Sequence, residues 1–340
     1  MINLNVAICL TATLLMLCIM TVSLIKGRKV NKAGRAFRYL VIAAFVASIS
    51  GLILEFIEGP VNPGPYLLAV LLEFIFEVCL DLSLVIWFVF SFFSLYDSMD
   101  YFRRKYVFYM TPFAVSVLFE IVNLFTGIFW DYDENVVYHE HELYYLWDIV
   151  RYFYLFLSIT NYSKFQKENG KKDFFSIWIY VVPLLLGTIF EMLTGYVYFN
   201  LGIAVGTTLL YILYLTEYYY TDEESGFFNA RYLTRIRKQI DEGKREAHIA
   251  IRYVLQKGCD SPAFFGELKK VVPKECDTVR TGERSFLTLI YSDARGLKNL
   301  LAEDIQMIAE DLNTDVVIET FAKNKDESAA DFFTRSTGRK

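Results

Sequence analysis

The sequence lacks the cysteine patterns that hold many small domains together. It contains 5 cysteines, and since none forms a Cys-x-x-Cys pair, neither a disulfide framework nor a zinc site is indicated. A basic excess is also lacking, because the formal net charge is -5 and the pI is near 5.4. A general nucleic-acid binder needs a basic face, so this class of protein is excluded. No metal or other cofactor is predicted.

A cleavable leader is not indicated either. The first apolar run has no basic segment before it, and the polar stretch 26–32 follows it without a small-residue cleavage pattern. We therefore expect this run to form the first helix. Apolar side chains are abundant, by contrast, with 54% hydrophobic and 17% aromatic residues.

Long apolar runs predict seven helices that cross a lipid bilayer within residues 1–220. Each spanning helix needs about 20 apolar residues to cross roughly 30 Å of hydrocarbon. The composition changes abruptly near Thr221, so we expect an all-α seven-helix membrane bundle followed by a small α/β domain at 221–340. The predicted helices cover 5–25, 38–57, 67–94, 106–127, 143–162, 174–194 and 199–219.

The positions of Lys and Arg predict the orientation, because basic residues in short loops stay on the cytoplasmic side. Alternate loops, at 60–66, at 131–142 and at a tight turn near Asn200, have neither and should face outside. This pattern predicts a multi-pass plasma-membrane protein with its N-terminus outside and its C-terminal domain in the cytoplasm. The basic loop residues are Lys26, Arg28, Lys29, Lys32, Arg35 and Arg38, then Arg103, Arg104 and Lys105, then Lys164, Lys167, Lys171 and Lys172.

Helical and strand patterns alternate in the C-terminal part. Such an alternation favours a single sheet covered by helices. Helices are predicted at 229–247, 264–272 and 294–312, and strands at 248–256, 285–291 and 315–322.

The start of this part contains a motif with a family resemblance. Residues 221–233 read Thr-Asp-Glu-Glu-Ser-Gly-Phe-Phe-Asn-Ala-Arg-Tyr-Leu. Asp222, Gly226, Asn229, Arg231 and Leu233 match, in register, the motif Asp-Pro-Leu-Thr-Gly-Leu-x-Asn-Arg-Arg-x-Leu that opens GGDEF domains. The tail therefore resembles a truncated GGDEF domain, the catalytic domain of diguanylate cyclases.

A second stretch, 278–291, resembles the strand hairpin that carries the family's catalytic motif. Diguanylate cyclases join two GTP molecules with the help of cations held by acidic residues, so the resemblance implies such acids here. Arg284 stands where the family has its metal-binding acid. We therefore expect a catalytically inactive domain with an ordinary polar turn between two strands. The degenerate motif is Gly282, Glu283, Arg284, Ser285 and Phe286.

Other ligand positions of the family are altered too. The strand at 248–256 contains no Asp, and Arg252 lies near the place of the expected metal ligand. The segment that recognises guanine in the family is shorter here. The family's inhibitory Arg-x-x-Asp site has become Lys274-x-x-Asp277, and Lys lacks the planar fork of Arg. The resemblance therefore transfers no nucleotide site.

Acidic residues inside the apolar helices are the candidate signal site. Glu73, Glu77 and Asp81 recur at i, i+4 and i+8, which places them on one helix face. Carboxyl groups inside a membrane line a cavity, pair with a base or take up a proton. One hypothesis is a polar pocket that binds a cationic or amine ligand, and the other is hydrogen bonding between helices alone. The pocket residues are Glu73, Glu77, Asp81, Glu120, Arg151 and Glu191.

The outer loop 131–142 contains His139 and His141 among several acids. These residue types bind divalent metals, but adjacent histidines are weak evidence, and a solvated acidic loop is favoured.

Residues 1–220 resemble, in pattern, the seven-helix N-terminal region of bacterial sensor histidine kinases, particularly at 110–130. This resemblance implies reception of an unknown extracellular or membrane-borne signal.

The chain is thus predicted to be a signal-transduction receptor whose GGDEF-like tail contacts a cytoplasmic signalling protein, with a homodimer expected from the family. One alternative is a divergent but active diguanylate cyclase that makes cyclic di-GMP from GTP. A less favoured alternative is an ion-coupled transporter or channel, since no internal repeat or pair of broken helices is visible.

Overall fold

The structure is a computed structural model that describes residues 4–25, 32–58, 64–96, 99–169, 175–222, 224–243, 246–256, 261–273, 276–291, 295–324 and 326–338. The chain divides into two compact units, Met1–Tyr214 and Leu215–Lys340. Several predicted residues lie outside the described ranges, namely Lys26, Arg28, Lys29, Lys171, Lys172 and Lys274, as does most of the loop 60–66.

Helices account for most of the described N-terminal part, and every predicted apolar run lies on one of them. The final helix of this part continues from the first unit into the second. The helices are α1 Leu4–Ile25, α2 Lys32–Ile57, α3 Tyr66–Tyr96, α4 Met99–Arg104, α5 Tyr106–Thr126, α6 Tyr145–Asn169, α7 Trp178–Thr194 and α8 Tyr198–Tyr220.

Among the described residues, four helices are long and apolar enough to cross a membrane. They are α1, α2, α5 and α8. Helix α7 is apolar but has only 17 residues, and α3 and α6 carry charged side chains within their length. The structure therefore supports a membrane-associated protein with four candidate spans.

Helix α3 lies at the centre of the helical unit, where it contacts α2, α5 and α6. Its indole at Trp87 stacks on Tyr180 with ring centres 4.1 Å apart, and Phe88 contacts Tyr109 edge-on at 4.9 Å. All four side chains are buried. These aromatic contacts pack α3 against α5 and α7.

Glycine lets α7 and α8 approach each other closely. A Cβ atom built on Gly202 would lie 2.7 Å from the carbonyl oxygen of Pro183, and one on Gly187 would lie 2.7 Å from that of Tyr198. Small residues permit such backbone contact between membrane helices. The turn between α7 and α8 contains Gly195, whose φ is +71°.

The tight turn predicted near Asn200 lies at 195–197, between the helices that the sequence predicts at 174–194 and 199–219. Asn200 lies inside α8, fully buried, where its side-chain oxygen accepts a hydrogen bond of 3.0 Å from the Ser48 hydroxyl. Asn favours turns because its side chain bonds to the nearby backbone, but here a partner on α2 takes that role.

A short antiparallel hairpin, β1 Trp130–Tyr132 with β2 Tyr138–Glu140, follows α5. It occupies the loop whose acids and histidines the sequence predicts to be solvated, and His139 and His141 are indeed exposed, whereas aromatic side chains of the hairpin are buried. Trp130 is only 2% exposed and Tyr132 only 5%. The hairpin therefore inserts aromatic side chains into the helical unit.

The second unit has a four-stranded antiparallel sheet in the order β4-β5-β3-β6. The succession from β3 to β6 is β-α-β-β-α-β, the ferredoxin-like arrangement. The predicted alternation of helices and strands is confirmed. The elements are α9 Ala230–Asp241, β3 Ile249–Leu255, α10 Ser261–Val271, β4 Cys276–Arg280, β5 Ser285–Ile290, α11 Arg295–Asp311, β6 Val316–Ala322 and α12 Ala329–Thr337.

Candidate functional site

The three acids of α3 form one buried face, as their spacing predicts. Glu73, Glu77 and Asp81 are 6%, 1% and 2% exposed, respectively. They are buried because α3 lies between its neighbours α2, α5 and α6. Charged groups in such a place need partners, since an unpaired buried charge is strongly unfavourable.

Arg151 of α6 provides the partner for two of these acids. Its Nε lies 3.0 Å from Asp81 Oδ1, and its Nη2 pairs with Glu77 Oε2. The Ser116 hydroxyl also donates to Asp81, and the Tyr144 hydroxyl donates to Glu77 over 2.8 Å. This charged cluster ties α6 to α3 through a fully buried ion pair.

The third acid, Glu73, bonds to the hairpin. The Tyr132 hydroxyl lies 3.1 Å from Glu73 Oε2 and 2.7 Å from Glu58 Oε1. A tyrosine hydroxyl has one proton to donate. Both contacts are hydrogen bonds only if one of the two carboxyl groups carries a proton and donates it to the Tyr132 oxygen. The hairpin is thus held by a chain of two acids and one tyrosine.

Glu58 follows the end of α2, and its environment favours the protonated form. Burial raises the pKa of Glu58 above its ordinary value, and the hydrogen bond from Tyr132 offsets only part of this effect. A raised carboxyl pKa means that the stability contributed by the protonated Glu58 carboxyl is fully present below the ordinary glutamate pKa of about 4.3. It is lost as the pH rises through the raised pKa.

The upward direction of the Glu58 pKa shift can be checked by infrared spectroscopy. We expect the difference spectrum between wild type and Glu58→Gln to contain a protonated-carboxyl band at pH values above about 4.3, which disappears as the pH is raised further. Asp133→Asn is the matched control, because hydrogen bonds from the backbone of Val137 and Asn135 lower the pKa of Asp133. A difference band that disappears near the ordinary glutamate pKa would contradict the shared proton.

The hairpin is anchored to α5 as well. The Trp130 indole Nε1 donates to Glu120 Oε2 over 3.2 Å, and Glu120 is fully buried. The Asn123 side chain accepts a hydrogen bond from the Phe129 backbone at 2.8 Å and donates one to the Trp130 carbonyl at 2.9 Å. The predicted residue Glu120 therefore serves to seat the hairpin.

Glu191 lies in the last turn of α7, where its Oε2 accepts a hydrogen bond of 2.7 Å from the Phe199 backbone. The Arg151 guanidinium carbon lies 5.5 Å from the centre of the Phe199 ring. Glu191 is thus next to the charged cluster through Phe199.

One polar group of the hairpin lacks a partner among the described residues. The Tyr138 hydroxyl oxygen is buried and makes no hydrogen bond there. Burial raises the pKa of Tyr138, as do the neighbouring Tyr144, Glu73 and Glu77 in that order, so the group is a neutral hydroxyl beside the acids. Buried hydroxyls are normally paired.

The histidines of the hairpin region form pairs with acids at the surface. His139 lies 3.8 Å from Asp133, and His141 lies 3.5 Å from Asp131. Within the ranges that the structure describes, no group of three or more potential ligands could hold a metal ion.

Most residues of the polar site were predicted, but their partners were not. Sequence spacing identifies the acids and Arg151, and the structure brings Glu77, Asp81 and Arg151 together directly. Glu73 and Glu120 bond to the hairpin instead. The residues that sequence reasoning missed are Glu58, Ser116, Asn123, Trp130, Tyr132, Tyr138 and Tyr144.

In the tail, Asp222 and Gly226 form a turn that is fixed to β4. Asp222 Oδ2 accepts hydrogen bonds from Ser225 and, over 2.9 Å, from Arg280 Nη1. Burial raises the pKa of Asp222, but the bonds from Ser225 and Arg280 outweigh it and the net shift is downward. Gly226 has φ of +65°, a conformation that glycine adopts without strain.

Helix α8 ends at Tyr220, close to the end predicted for the helix at 199–219, and a break in the helix separates it from α9. Asn229 connects the two sides of the break. Its amide Nδ2 donates to the Tyr219 carbonyl over 2.8 Å, and its Oδ1 caps α9 by accepting from the Arg231 backbone over 3.0 Å. The matched family positions Asp222, Gly226, Asn229 and Arg231 thus form one junction.

Asn229→Ala is expected to destabilise the tail by about 1 kcal/mol, because an N-cap is lost. Pulse proteolysis of the full chain in urea measures this change. Asn299→Ala, at an exposed position inside α11, is the matched control and should leave the tail as stable as wild type. Equal urea midpoints for the two variants would argue against the capping role.

The degenerate motif forms the polar turn that was predicted. Arg280 pairs with Phe286 across β4 and β5, and its Nη2 donates to the Glu283 carbonyl over 2.8 Å. Arg252 lies 3.7 Å from Glu319 on the neighbouring strand. Asp277 accepts hydrogen bonds from Tyr232 and Tyr291. Arg280, Arg252 and Asp277 are thus each engaged by contacts within the tail.

Comparison with known proteins gives no family for this chain. No protein-family model matches the sequence, and no curated protein matches it. Both family resemblances therefore depend on the residues quoted above.

Proposed function

We propose that this protein is a multi-pass membrane signal receptor whose GGDEF-like cytoplasmic domain is catalytically inactive. The observation that carries the proposal is the buried ion pair of Arg151 with Glu77 and Asp81, which lies next to an aromatic hairpin. Buried charged networks are unnecessary for anchoring in a bilayer and mark functional sites in membrane helices. The hairpin and this cluster form the input element.

In this proposal the seven apolar helices all cross the membrane. Helices α3 and α6 carry charges, but these are paired with one another, which lowers the cost of placing them in lipid. Helix α3 has 31 residues and a length of about 46 Å, more than the roughly 30 Å of hydrocarbon. The basic loops put the N-terminus outside and the tail in the cytoplasm.

The groups around the buried acids indicate the chemical class of the ligand that we propose. The acids that were predicted to bind a cation are engaged by Arg151 and by hairpin donors, so an open cation site would require these contacts to rearrange. The Tyr138 hydroxyl, which has no partner among the described residues, gives a ligand one hydrogen-bonding group beside Glu73 and Glu77. A small cationic or amine ligand that also accepts a hydrogen bond fits this set of groups.

The output proposed for the tail is contact with a cytoplasmic signalling protein, in a homodimer by family resemblance. The salt bridges from Arg280 to Asp222 and Glu224 connect the turn after α8 to β4. A shift of α8 would act on this junction and so on the hairpin β4–β5. Signalling then needs two states whose balance the input changes.

Hydrogen exchange tests the transmission without knowledge of the ligand. Tyr144→Phe removes one hydrogen bond to Glu77, and we expect exchange rates at tail residues 221–231 and 280–286 to change about fivefold or more, since coupling free energies are about 1–3 kcal/mol. Tyr145→Phe, at a side chain 57% exposed, is the matched control. Changes confined to the helical unit would indicate a membrane anchor without transmission.

The enzymatic alternative has a separate test. The full chain in nanodiscs, incubated with GTP and manganese, should form no cyclic di-GMP, because the metal-binding acid is replaced by Arg284. An active diguanylate cyclase serves as the positive control. Product formation that Glu283→Ala abolishes would overturn the inactive assignment.

A further inference from the structure

A groove lies beside the last turn of α8. Its volume is about 610 Å³. It lies between the two tyrosines that end α8 and one face of α9. The side chains that matter here are Tyr219, Tyr220, Arg231, Arg235, Lys238 and Glu242.

The groove has an excess of positive charge. Arg231, Arg235 and Lys238 occur at i, i+4 and i+7 of α9, so they share one helix face. The opposite face is buried in the tail core by Leu233, Ile236 and Ile240, among others. One acid, Glu242, lies 3.9 Å from Lys238 at the end of the groove. Three cations against one acid make the groove attractive to an anion.

The tyrosine rings hold two of these cations in place. The guanidinium carbon of Arg231 lies 4.7 Å from the centre of the Tyr219 ring, and that of Arg235 lies 5.5 Å from the Tyr220 ring. Cation–π contact orients such groups, and a guanidinium offers a planar set of donors that suits phosphate. The Gln239 Oε1 atom, which lines the same groove, is buried without a partner among the described residues.

The expected depth of the groove in the membrane indicates which kind of anion it binds. Helix α8 has 23 residues and is about 34 Å long, which just exceeds the roughly 30 Å of hydrocarbon. Its terminal tyrosines then lie at the level of the lipid headgroups, where tyrosine is enriched. The basic face of α9 lies beside these tyrosines and hence at headgroup depth.

We propose that this groove binds the headgroup of an anionic phospholipid, with its phosphate on Arg231, Arg235 and Lys238 and a headgroup hydroxyl that donates to Gln239. Phosphatidylglycerol has this chemistry. The inference uses the part of the proposed function in which α8 crosses the membrane. It adds a lipid ligand and thereby a contact that fixes the junction after α8 to the inner surface.

Native mass spectrometry of the full chain in mild detergent tests this site. With phosphatidylglycerol and phosphatidylcholine added in equal amounts, wild type should retain phosphatidylglycerol preferentially. Arg235→Gln should lower this retention about fivefold, from about 1 kcal/mol per charge near an anionic lipid. Arg237→Gln is the matched control, since this residue lies on the same helix but does not line the groove, and it should behave as wild type.

The outcomes separate the lipid from other anions and from a folding defect. Arg235→Lys keeps the charge and should retain the lipid, which distinguishes loss of binding from misfolding. Equal retention by Arg235→Gln and Arg237→Gln would overturn the proposal, and so would displacement of the lipid by inorganic phosphate. A detergent micelle has no inner and outer face. Retention of the lipid in detergent therefore does not depend on the side of the membrane on which the tail lies in the cell. A tail found outside the cell would therefore contradict the receptor topology alone.

Discussion

Arg151→Met is expected to destabilise the helical unit by about 3–5 kcal/mol, the cost of breaking a buried ion pair by removing one partner. Glu77 and Asp81 would stay buried without their cation, and both are at most 2% exposed in the wild type. The measurement is the thermal unfolding of the full chain in detergent, followed by size-exclusion chromatography of the surviving fraction. The midpoint should fall well below that of wild type.

Two further variants define what this loss means. Arg103→Met removes an exposed arginine at the end of α4 and should leave the midpoint unchanged. The triple variant Arg151→Met, Glu77→Gln, Asp81→Asn removes all three charges and should recover most of the stability, because neutral groups cost less to bury than unpaired charges. A single variant as stable as wild type would show that the ion pair does not form.

Phe286→Ala is expected to destabilise the tail by about 3–5 kcal/mol, the usual cost of removing a buried phenyl ring. Phe286 is fully buried and its ring lies 5.3 Å from Phe265 and 5.5 Å from Tyr253. Such a loss is a large part of the stability of a domain of this size. Pulse proteolysis in urea should show a tail that is cleaved at much lower urea.

The matched control is Met307→Ala on α11, whose side chain is 56% exposed. It should change the stability of the tail by no more than about 0.5 kcal/mol. If Phe286→Ala resists proteolysis as well as this control, β5 does not pack into the core as described, and the ferredoxin-like arrangement of the tail would be in error.

Periodic patterns made the helical unit predictable. Spacing alone identified the buried face of α3, because i, i+4 and i+8 positions coincide on any helix. The apolar runs located each long helix, although they do not tell whether a helix crosses the membrane or lies inside the protein. Helix α7 has the same kind of sequence as α1 but is shorter.

The partners of the acids were not predictable from sequence, because they lie far away along the chain. Glu58 and Glu73 meet at Tyr132. Tyr132 belongs to a strand of only three residues, too short to show an alternating pattern. The polar character of the surrounding loop concealed the aromatic side chains that enter the helical unit. Loop polarity describes the average residue and misses single anchors such as Trp130.

In the tail, the helices and strands could be predicted from local sequence, whereas the pairing of the strands could not. The helix predicted across 229–247 ends at Asp241, and Gly243 follows with φ of +66°, a position at which helices commonly stop. The sheet was predicted because its strands are rich in β-branched and aromatic residues. Pairing of β3 with both β5 and β6 could not be read from the sequence, since register depends on tertiary packing.

Coupling between the hairpin β1–β2 and the tail is central to the proposed function. Because coupling free energies are reciprocal, a change in the tail gives its most direct test. If the two ends share one two-state element, a change in the tail must alter the hairpin by the same free energy. Arg280→Gln removes the salt bridges to Asp222 and Glu224 next to α8. Arg335→Gln is the control, because its partner Glu327 lies in the C-terminal segment.

Hydrogen exchange at hairpin residues 130–140 of the full chain in nanodiscs is the measurement. The receptor account predicts that Arg280→Gln changes these exchange rates about fivefold or more, in line with coupling of about 1–3 kcal/mol, while Arg335→Gln leaves them as in wild type. Hairpin exchange that is identical in wild type and Arg280→Gln, with a folded tail in both, would contradict it.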